Sequence, residues 1–452
     1  MLNIVILAAG KGTRMYSDKP KVLHALAGKA LVEHVLNRAS ELKPQQICII
    51  YGHGGDQVLT AMAKFDAKFV LQEPQLGTGH AVQQAMPYLN DDSRTLVLYG
   101  DVPLTQYATL DNMQRAGNGL VLLTVNLINP TGYGRIVRSE DGKVSSIIEE
   151  KDATEEQRRI TEVNTGILLA PTGKLRLWLS KLSNNNAQAE YYLTDIVAMA
   201  VAEGIEVNTC QPHEIWEVEG VNSKTQLAVL ERTWQGVQAS HLMSQGVTLA
   251  DPQRLDVRGN LTCGRDVEID VGCIFEGDVT LGDRVKVGAY TIIRQASIAA
   301  ETEISPYSYI DSSEVGANCH IGPYARLRPG SKLADEVHIG NFVEVKNSEI
   351  ATKSKANHLS YIGDTTVGSR VNIGAGTITC NYDGANKYRT IIGDDAFIGS
   401  DSQLVAPVTI GKGATIGAGS TITKDTPDGE LTLSRSKQVS VKGWQRPQKG
   451  NK

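Results

Sequence analysis

A short repeat constrains the second half of this chain more than any other feature of its sequence. Aliphatic residues, often followed by glycine, recur every six positions, as in the run Ile392, Ile398, Leu404, Ile410, Ile416 and Ile422. A fixed short period is typical of a solenoid, whose units bury their apolar residues only by stacking on their neighbours. Six residues suit one short strand and a turn, so the repeat predicts a parallel β-helix with strands about 4.8 Å apart. The period alone does not give the hand of the helix.

The same six-residue spacing begins at Leu281, and two stretches interrupt it, Ala351–Tyr361 and Cys380–Ile391. Each is predicted to be a loop that leaves the regular coil. Loops carried on a rigid scaffold are a frequent place for function, although such an insertion can also be simply tolerated.

The first half alternates short apolar runs with segments of helical periodicity. The pattern predicts strands at 3–9, 46–51, 68–72 and 95–99, and helices at 30–42, 55–64 and 79–89. Such alternation is typical of βαβ units around a mainly parallel, Rossmann-like sheet. Ligands of these sheets bind beyond the carboxyl ends of the strands. Two segments leave predicted strands at that edge, Gly10–Met15 and Gly100-Asp101.

One long helix is predicted between the two halves, because Leu227, Leu230, Trp234 and Val237 recur at helical spacing. This apolar stripe is interpreted as packing rather than as a binding face. The resulting division is a first domain at 1–225, a linker helix at 226–246 and the repeat domain with its tail at 247–452.

Composition excludes several classes of protein. The 452 residues are 41% apolar and 21% charged, with a net charge of −5 and dispersed basic residues. This balance gives no reason to expect nucleic acid or a membrane as a partner, and no apolar run reaches the ~20 residues of a membrane span. The six cysteines lack paired or metal-ligand spacing, and the nine histidines form no zinc-like cluster. We therefore expect a cytoplasmic protein with reduced thiols.

A glycine turn follows the first predicted strand and carries the first sign of chemistry. The segment is Leu7-Ala8-Ala9-Gly10-Lys11-Gly12-Thr13-Arg14-Met15, with Pro20-Lys21 close behind. Glycines allow backbone N–H groups to approach phosphates, and Arg14 and Lys21 supply opposite charge. A dinucleotide fingerprint would need a third glycine at Met15, and a Walker loop would need Lys-Ser/Thr where Lys11-Gly12 stands.

The longer motif resembles the signature of sugar-nucleotide pyrophosphorylases, and further motifs of that family follow in order up to about residue 225. The resemblance implies uridylyl transfer from UTP to a sugar 1-phosphate, with Mg²⁺ held by Asp101 and Asn222, and with Arg14 and Lys21 on the phosphates. It implies that Gln72, Gly77 and Thr78 hold the uracil and that Gly134, Glu149 and Asn164 hold the sugar. The remaining nucleotide-binding positions are Leu7, Ala8, Ala9, Gly10, Tyr99 and Gly100. Taken singly, Asp101 could only cap a turn, and Glu149 could be solvated surface.

The repeat domain resembles the glucosamine-1-phosphate N-acetyltransferases among hexapeptide-repeat enzymes. Matching segments are 326–330, 341–346, 355–364 and 372–384. Acetylating an amine requires a base, and histidine is suited to that role near neutral pH. The resemblance makes His358 that base and gives the family's left-handed coils and trimeric assembly, with active sites between β-helices. It places Arg328 and Lys346, one coil apart, on the sugar phosphate, although either could be only a surface charge.

The same resemblance assigns the rest of the acetyl-transfer site. Tyr361, Asn372, Asn381 and Tyr382 would complete the sugar and acyl pocket. The acetyl-CoA groove would be lined by Ala375, Asn381, Tyr382, Ser400, Ala418 and Arg435. Arg435 stands in the tail, outside the repeat.

With both halves in this order, the chain resembles the bifunctional family that acetylates glucosamine 1-phosphate and then makes UDP-N-acetylglucosamine, a precursor for peptidoglycan and lipopolysaccharide. The co-substrates would be acetyl-CoA and UTP. Two rival hypotheses are a pyrophosphorylase with a merely regulatory or oligomerising β-helix, and a non-catalytic assembly subunit. The His358 and Asn381-Tyr382 segments argue against the first rival, and the intact glycine turn argues against the second.

Overall fold

The computed structural model describes residues 1–10, 12–52, 54–447 and 449. The chain divides into two compact units, Met1–Trp234 and Gln235–Lys452. The long helix predicted between the halves is present at Lys224–Ser244 and contributes residues to both units.

A nine-stranded sheet forms the centre of the first unit. The strands of this unit, including a short β2–β3 hairpin outside the sheet, are β1 Leu2–Ala8, β2 Ala25–Leu26, β3 Lys29–Ala30, β4 Gln46–Tyr51, β5 Lys68–Leu71, β6 Arg94–Tyr99, β7 Leu120–Asn126, β8 Arg135–Arg138, β9 Val144–Ile148, β10 Glu162–Pro171 and β11 Val207–Cys210. The order of strands in the sheet is β11-β7-β10-β6-β1-β4-β5, and β8 and β9 are joined to it through β10. Strand β1 is parallel to β4 and β6, whereas β10 is antiparallel to β6 and β7. The predicted α/β architecture is confirmed, and the sheet is mixed.

Helices cover both faces of this sheet. Strand β1 lies inside the sheet, between β6 and β4, which explains why its sequence is almost entirely apolar. All seven residues of β1 are buried, as expected of a strand covered on two sides. In the helix Leu31–Glu41, buried apolar residues recur at helical spacing, for example Leu31, Val35 and Ala39. The helices are α1 Leu31–Glu41, α2 Gly55–Met62, α3 Thr78–Ala85, α4 Tyr107–Arg115, α5 Thr172–Ser180, α6 Asp195–Ala202 and α7 Lys224–Ser244.

Helix α3 is shorter than the predicted 79–89 segment. It ends at Ala85 and continues as a 3₁₀ turn, Met86–Tyr88. Pro87 explains the change, because its ring nitrogen carries no hydrogen for the next α-helical bond. The other 3₁₀ turns are Thr13–Met15, Lys21–Leu23, Gln157–Arg159, Ile215–Val218 and Pro252–Arg254.

The second unit is an all-parallel β-helix of the hexapeptide type, consistent with the predicted left-handed solenoid. Equivalent residues of adjacent coils are 17 or 18 positions apart, as in Ile304↔Ile321 and Ile321↔Ile339, which is about three hexapeptides a coil. Its first face contains the strands Thr248–Leu249, Glu268–Ile269, Lys286–Val287, Glu303–Ile304, His320–Ile321, His338–Asn341, Lys355–His358, Asn372–Ile373, Phe397–Ile398, Thr415–Ile416 and Leu431–Thr432.

Three longer strands turn the corner between the other two faces: Asp256–Cys263, Ile274–Leu281 and Ile292–Ile298. The second face then continues through Tyr309–Asp311, Arg326–Leu327, Glu344–Lys346, Tyr361–Gly363, Ile378–Cys380, Gln403–Val405 and Thr421–Ile422. The third face continues through Glu314–Val315, Lys332–Leu333, Glu349–Ile350, Thr365–Val367, Thr390–Ile392 and Val408–Ile410.

The prediction of a loop at 351–361 is wrong. Residues Lys355–His358 form a regular strand, paired with His338–Asn341 below and Asn372–Ile373 above. Ala356 takes the inward position, 1% exposed, so a small side chain broke the aliphatic pattern without breaking the coil.

The second predicted interruption is a real loop between Cys380 and Thr390. Thr365 pairs with Thr390, 25 positions later, whereas Glu349 pairs with Thr366, 17 positions later.

Four aromatic rings stack along one outer corner of the β-helix, and we call Tyr290, Tyr307, Tyr324 and Phe342 the aromatic column. Adjacent ring centroids are 5.4, 5.1 and 5.2 Å apart. The four side chains are between 48% and 55% exposed, and each residue has a positive φ. Leu359, exposed and also at positive φ, continues the corner one coil beyond Phe342.

The packing interpretation of the linker stripe is confirmed within each unit. Leu230 and Trp234 of α7 pack with Met15 and Leu26 in the first unit, while Leu242 belongs to the core of the β-helix. None of the helices formed by the described residues has the length and hydropathy of a bilayer span.

Candidate active sites

A cleft of about 800 Å³ opens in the first unit at the carboxyl ends of its parallel strands. This is the edge at which such sheets bind ligands. The structure brings many of the sequence-predicted nucleotide positions to this cleft. Its wall includes Leu7, Ala8, Ala9, Gly10, Lys21, Gln72, Gly77, Thr78, Tyr99 and Asp101.

At one side of the cleft, two side-chain oxygens converge on the ammonium group of Lys21. The Lys21 Nζ forms an ion pair with the Asp101 carboxylate and donates a hydrogen bond to the Asn222 Oδ1 at 2.9 Å. A single ammonium reaches both oxygens, although Asn222 is 121 positions after Asp101. A carboxylate and an amide oxygen are suitable Mg²⁺ ligands, and Mg²⁺ takes the rest of its shell from water and substrate phosphates. The described residues contain no cluster of three or more His, Cys, Asp or Glu side chains that could hold a metal alone.

The glycine turn lies directly against Lys21. Gly12 has φ +61°, and a Cβ at this position would stand 2.7 Å from the Lys21 Cβ. Glycine is therefore required both for the backbone conformation and for the close approach. Arg14 follows in the 3₁₀ turn Thr13–Met15 with an exposed side chain, outside the cleft wall. Lys11 of the motif lies outside the described residues.

The predicted base-binding residues meet where the loop after β5 enters α3. Gln72 is 4% exposed, and its Nε2 donates to the Gly77 carbonyl at 3.0 Å. Thr78 opens α3, and its hydroxyl accepts a bond from the Leu193 N–H at 3.2 Å. Gly100 N–H donates to the Leu7 carbonyl at 2.9 Å, which holds the start of the Asp101 turn to β1.

Several residues of the cleft wall were not among the predicted site residues, and Gln75 and Glu190 are two polar ones. Gln75 donates its amide to the Ala9 carbonyl and so ties the loop to the end of β1. Its position three residues after Gln72, a predicted base-binding residue, could have indicated that Gln75 lies in the cleft wall. No sequence feature indicated Glu190, because only the tertiary fold brings it near residues 72–78.

The three predicted sugar-binding residues also lie together. The Asn164 N–H donates to the Gly134 carbonyl at 2.9 Å, and a Cβ at Gly134 would stand 3.4 Å from the Glu149 carboxylate. The Glu149 carboxylate accepts a bond from the Thr194 hydroxyl at 3.0 Å, and burial raises the pKa of Glu149. The Asn164 Oδ1 is buried and has no partner among the described residues, which leaves an acceptor for a ligand hydroxyl or amide.

In the second unit, His358 ends a strand of the first face, with its side chain exposed. Its Nδ1 lies 2.8 Å from the Asn341 Oδ1, one coil below. An amide oxygen accepts, so Nδ1 carries the hydrogen and Nε2 keeps a free lone pair. Asn341 was not among the predicted site residues, although it precedes His358 by one coil length of 17 residues.

Replacing Asn341 by alanine should lower acetyl transfer about ten- to a hundredfold, because the imidazole loses the bond that fixes its tautomer and direction. Uridylyl transfer, measured on the same preparation, should not change. Asn347 is unsuitable as a control because it bonds to Asp364, whereas Asn318→Ala alters an exposed turn elsewhere on the β-helix. An Asn341 variant with wild-type acetyl transfer would show that the bond does not serve His358.

Arg328 and Lys346 lie one coil apart, as predicted, since the Arg328 N–H bonds to the Val345 carbonyl. Glu344 accepts from Arg328 at 2.7 Å, and the Lys346 Nζ is 4.0 Å from the Asp364 carboxylate. Hydrogen bonding with Lys387, followed by burial, lowers the pKa of Lys346. Three basic side chains thus share one region of the second face, and Lys387 was missed because it stands inside the loop.

Asp364 organises the base of that loop. Burial alone would raise its pKa, but bonds from the Asn347 and Asn381 amides lower the pKa of Asp364. The Asn347 bond is 2.5 Å long. Tyr382 follows with a 60% exposed side chain, and its hydroxyl donates to the Gly384 carbonyl at 2.5 Å. Tyr361 stands one coil above Glu344, and Asn372 lies half-buried on the first face.

The predicted acetyl-CoA residues outside the loop form a single column over successive coils. The Ala375 carbonyl accepts from the Asp401 N–H at 2.7 Å, and the Ser400 carbonyl accepts from the Gly419 N–H at 2.8 Å. The Arg435 guanidinium donates to the Ala418 carbonyl at 2.8 Å. The tail residue Arg435 is therefore next to the other predicted positions.

Family models match three parts of the chain. Residues 4–138 match the MobA-like NTP transferase domain, residues 257–354 match the GMPPB C-terminal domain, and residues 389–424 match six bacterial transferase hexapeptide repeats. The chain is therefore a nucleotidyltransferase joined to a hexapeptide-repeat transferase.

Full-length relatives define the family more narrowly. The chain is 63% identical over 450 residues to "Bifunctional protein GlmU" of Herminiimonas arsenicoxydans, with 99% of each chain covered. It is 61% identical over 453 residues to the protein of the same name from Ralstonia pickettii, with 100% of both covered. The chain belongs to the bifunctional GlmU family.

Proposed function

We propose that this chain makes UDP-N-acetylglucosamine with two separate active sites. The β-helix transfers the acetyl group of acetyl-CoA to glucosamine 1-phosphate. The nucleotidyltransferase unit then joins the resulting N-acetylglucosamine 1-phosphate to UTP and releases pyrophosphate. The observation that carries this proposal is the identity of about 60% to bifunctional GlmU proteins over the whole chain. The product would feed peptidoglycan and lipopolysaccharide precursors.

In the first unit, the sugar 1-phosphate oxygen attacks the α-phosphorus of UTP, and the bond to the pyrophosphate breaks. Such transfers depend on positioning and on neutralising negative charge. Lys21 and Arg14 supply positive charge, the glycine turn supplies backbone N–H groups, and Glu149 and Asn164 orient the sugar. Asp101 and Asn222 are the proposed Mg²⁺ ligands, and the ion would neutralise charge on the phosphates.

In the second unit, the Nε2 of His358 takes a proton from the glucosamine amine as the nitrogen attacks the thioester carbonyl. The C–N bond forms, the C–S bond breaks, and coenzyme A leaves as the thiol. Arg328 and Lys346 hold the sugar phosphate, while Tyr361, Asn372, Asn381 and Tyr382 enclose the sugar and the acetyl group. The coenzyme A moiety follows the column of Ala375, Ser400, Ala418 and Arg435.

Paired assays with Mg²⁺ test this function on the purified chain. One follows thiol release from acetyl-CoA with glucosamine 1-phosphate, and the other follows pyrophosphate release from UTP with N-acetylglucosamine 1-phosphate. Activity in both is the expected result. Activity only in the second would favour the rival in which the β-helix is regulatory, and activity in neither would refute the proposal.

We also propose that the chain works as a homotrimer in the cytoplasm. The aromatic column supports self-association, because four stacked, half-exposed rings form an apolar strip that a second copy can cover. All six cysteines lie among the described residues and are free thiols, which fits a reducing compartment.

Replacing Tyr307 and Tyr324 together by asparagine should reduce the molar mass in solution from three chains to one. Asparagine tolerates the positive φ of both positions, so the backbone is spared while the apolar rings are removed. Size-exclusion chromatography with light scattering provides the measurement. Ile128→Asn, at a fully exposed aliphatic residue of the first unit, is the control. A double variant that keeps the wild-type mass would exclude the column from the interface.

A further inference from the structure

The orientation of one buried amide in the cleft is fixed by its neighbours. The Nε2 of Gln72 lies 3.0 Å from the Gly77 carbonyl oxygen, which can only accept a hydrogen bond. The same nitrogen lies 3.2 Å from the Nδ1 of His80, in the first turn of α3. Both amide hydrogens of Gln72 are therefore directed at the protein.

His80 contacts Gln72 without lining the cleft, since its side chain is not part of the cleft wall. Burial lowers the pKa of His80, which favours the neutral ring with one acceptor and one donor nitrogen. With Nδ1 accepting from Gln72, the Nε2 carries the hydrogen. The Gln84 Nε2 lies 3.1 Å from that nitrogen and also donates to the His80 carbonyl at 3.2 Å. A neutral ring cannot accept from both amides. An unpaired N–H would cost more at Gln72, which is 4% exposed, than at the half-buried Gln84, so the Gln84 amide is the one that rotates and presents its oxygen to the Nε2–H.

The consequence is that the Gln72 Oε1 is left for a ligand. No described residue donates a hydrogen bond to this oxygen, and Gln72 lines the cleft beside Gly77 and Thr78. Uracil presents an N3–H donor at its pairing edge, whereas cytosine presents a lone pair at N3. A fixed oxygen thus suits uracil, and a reversed amide would suit cytosine.

We propose that His80 is a positioning residue that selects uracil over cytosine by holding the Gln72 amide with its oxygen toward the base. The proposal rests on the uridylyl transfer proposed above. It adds a residue that no motif singled out and that acts only through Gln72.

The test compares two substitutions of His80, one that keeps a hydrogen-bond acceptor for Gln72 and one that removes it. His80→Asn keeps an oxygen close to the former Nδ1, and His80→Leu removes both ring nitrogens. Gln84→Leu is the matched control, because it removes a neighbour of the ring without changing the contact with Gln72. For each full-length variant, kcat and KM are measured with UTP and with CTP, and acetyl transfer is measured on the same preparation.

We expect His80→Leu to lower the ratio of kcat/KM for UTP to that for CTP about tenfold, the effect of one buried hydrogen bond. The change should appear mainly in KM. His80→Asn should restore most of the ratio, Gln84→Leu should leave it close to wild type, and acetyl transfer should be unchanged in all three.

An unchanged ratio in His80→Leu, or equal losses in His80→Leu and His80→Asn, would overturn the proposal. If His80→Leu does not fold, His80→Gln replaces it, because its amide reaches the Nε2 position rather than Nδ1 and should behave like leucine. A wild-type chain that releases no pyrophosphate from UTP would refute the underlying function as well, whereas an active wild type with unchanged variant ratios refutes only the role of His80.

Discussion

Replacing Asp101 by asparagine should lower uridylyl transfer about a thousandfold, since a lost charge contact to the metal and phosphates costs several kcal/mol in the transition state. Asparagine keeps the size of the side chain, so the cleft should keep its shape. Lys21 would lose its ion-pair partner, while the Asn222 oxygen would still accept from it. Pyrophosphate release provides the measurement.

Acetyl transfer by the Asp101 variant should equal that of the wild type, because no residue of the proposed acetyl-transfer site belongs to the first unit. The control is Asp111→Asn, which removes a carboxylate of the same unit whose one ion pair among the described residues is with Arg115, one turn away on α4. Loss of both activities in folded Asp101→Asn protein would contradict the two-site scheme, and full uridylyl activity would remove Asp101 from the metal site.

Replacing His358 by alanine should have the opposite selectivity. Loss of a general base lowers the rate of the chemical step about a hundred- to ten-thousandfold. Thiol release from acetyl-CoA should fall by this amount, while pyrophosphate release should be unaffected. Because His358 is exposed at the end of a strand, the change leaves no cavity in the β-helix core.

The matched control is His320→Ala, at an exposed position on the same face of the β-helix, two coils away. It removes an imidazole from a strand of the same type, so it separates loss of the base from loss of any surface histidine. Equal acetyl transfer by His358→Ala and the wild type would assign the base elsewhere, and the contact between Asn341 and His358 would then be only structural.

The sequence predicts the architecture well because both halves follow simple periodicities. The six-residue pattern predicts the solenoid, and its failure at Ala356 shows the limit of that reasoning. A hydrophobic count treats a small inward residue as a break, whereas the backbone pairing with neighbouring coils continues regardless. Likewise, Pro87 ended α3 where a purely apolar pattern extended it.

The sites are predictable where the residues stand in motifs, and less so where contacts are made between distant segments. Asp101 and Asn222 meet at Lys21 only because the chain returns to the edge of the sheet. Glu190 and Lys387 lie in segments without a regular period, so neither spacing nor periodicity pointed to them. Asn341 could have been found, since a residue 17 positions before His358 is its neighbour in a coil of this length.

The position of the proposed acetyl-CoA residues along the solenoid has a consequence for cooperativity. In a stack whose coils bond only to adjacent coils, a terminal coil loses one interface on opening, whereas an interior coil loses two. Ala418 and Arg435 lie at the carboxyl-terminal end of the β-helix, where Leu431–Thr432 is the last strand of the first face. The proposed donor-binding end should therefore open at a lower free energy than the interior coils, and a bound coenzyme would raise the free energy of that opening.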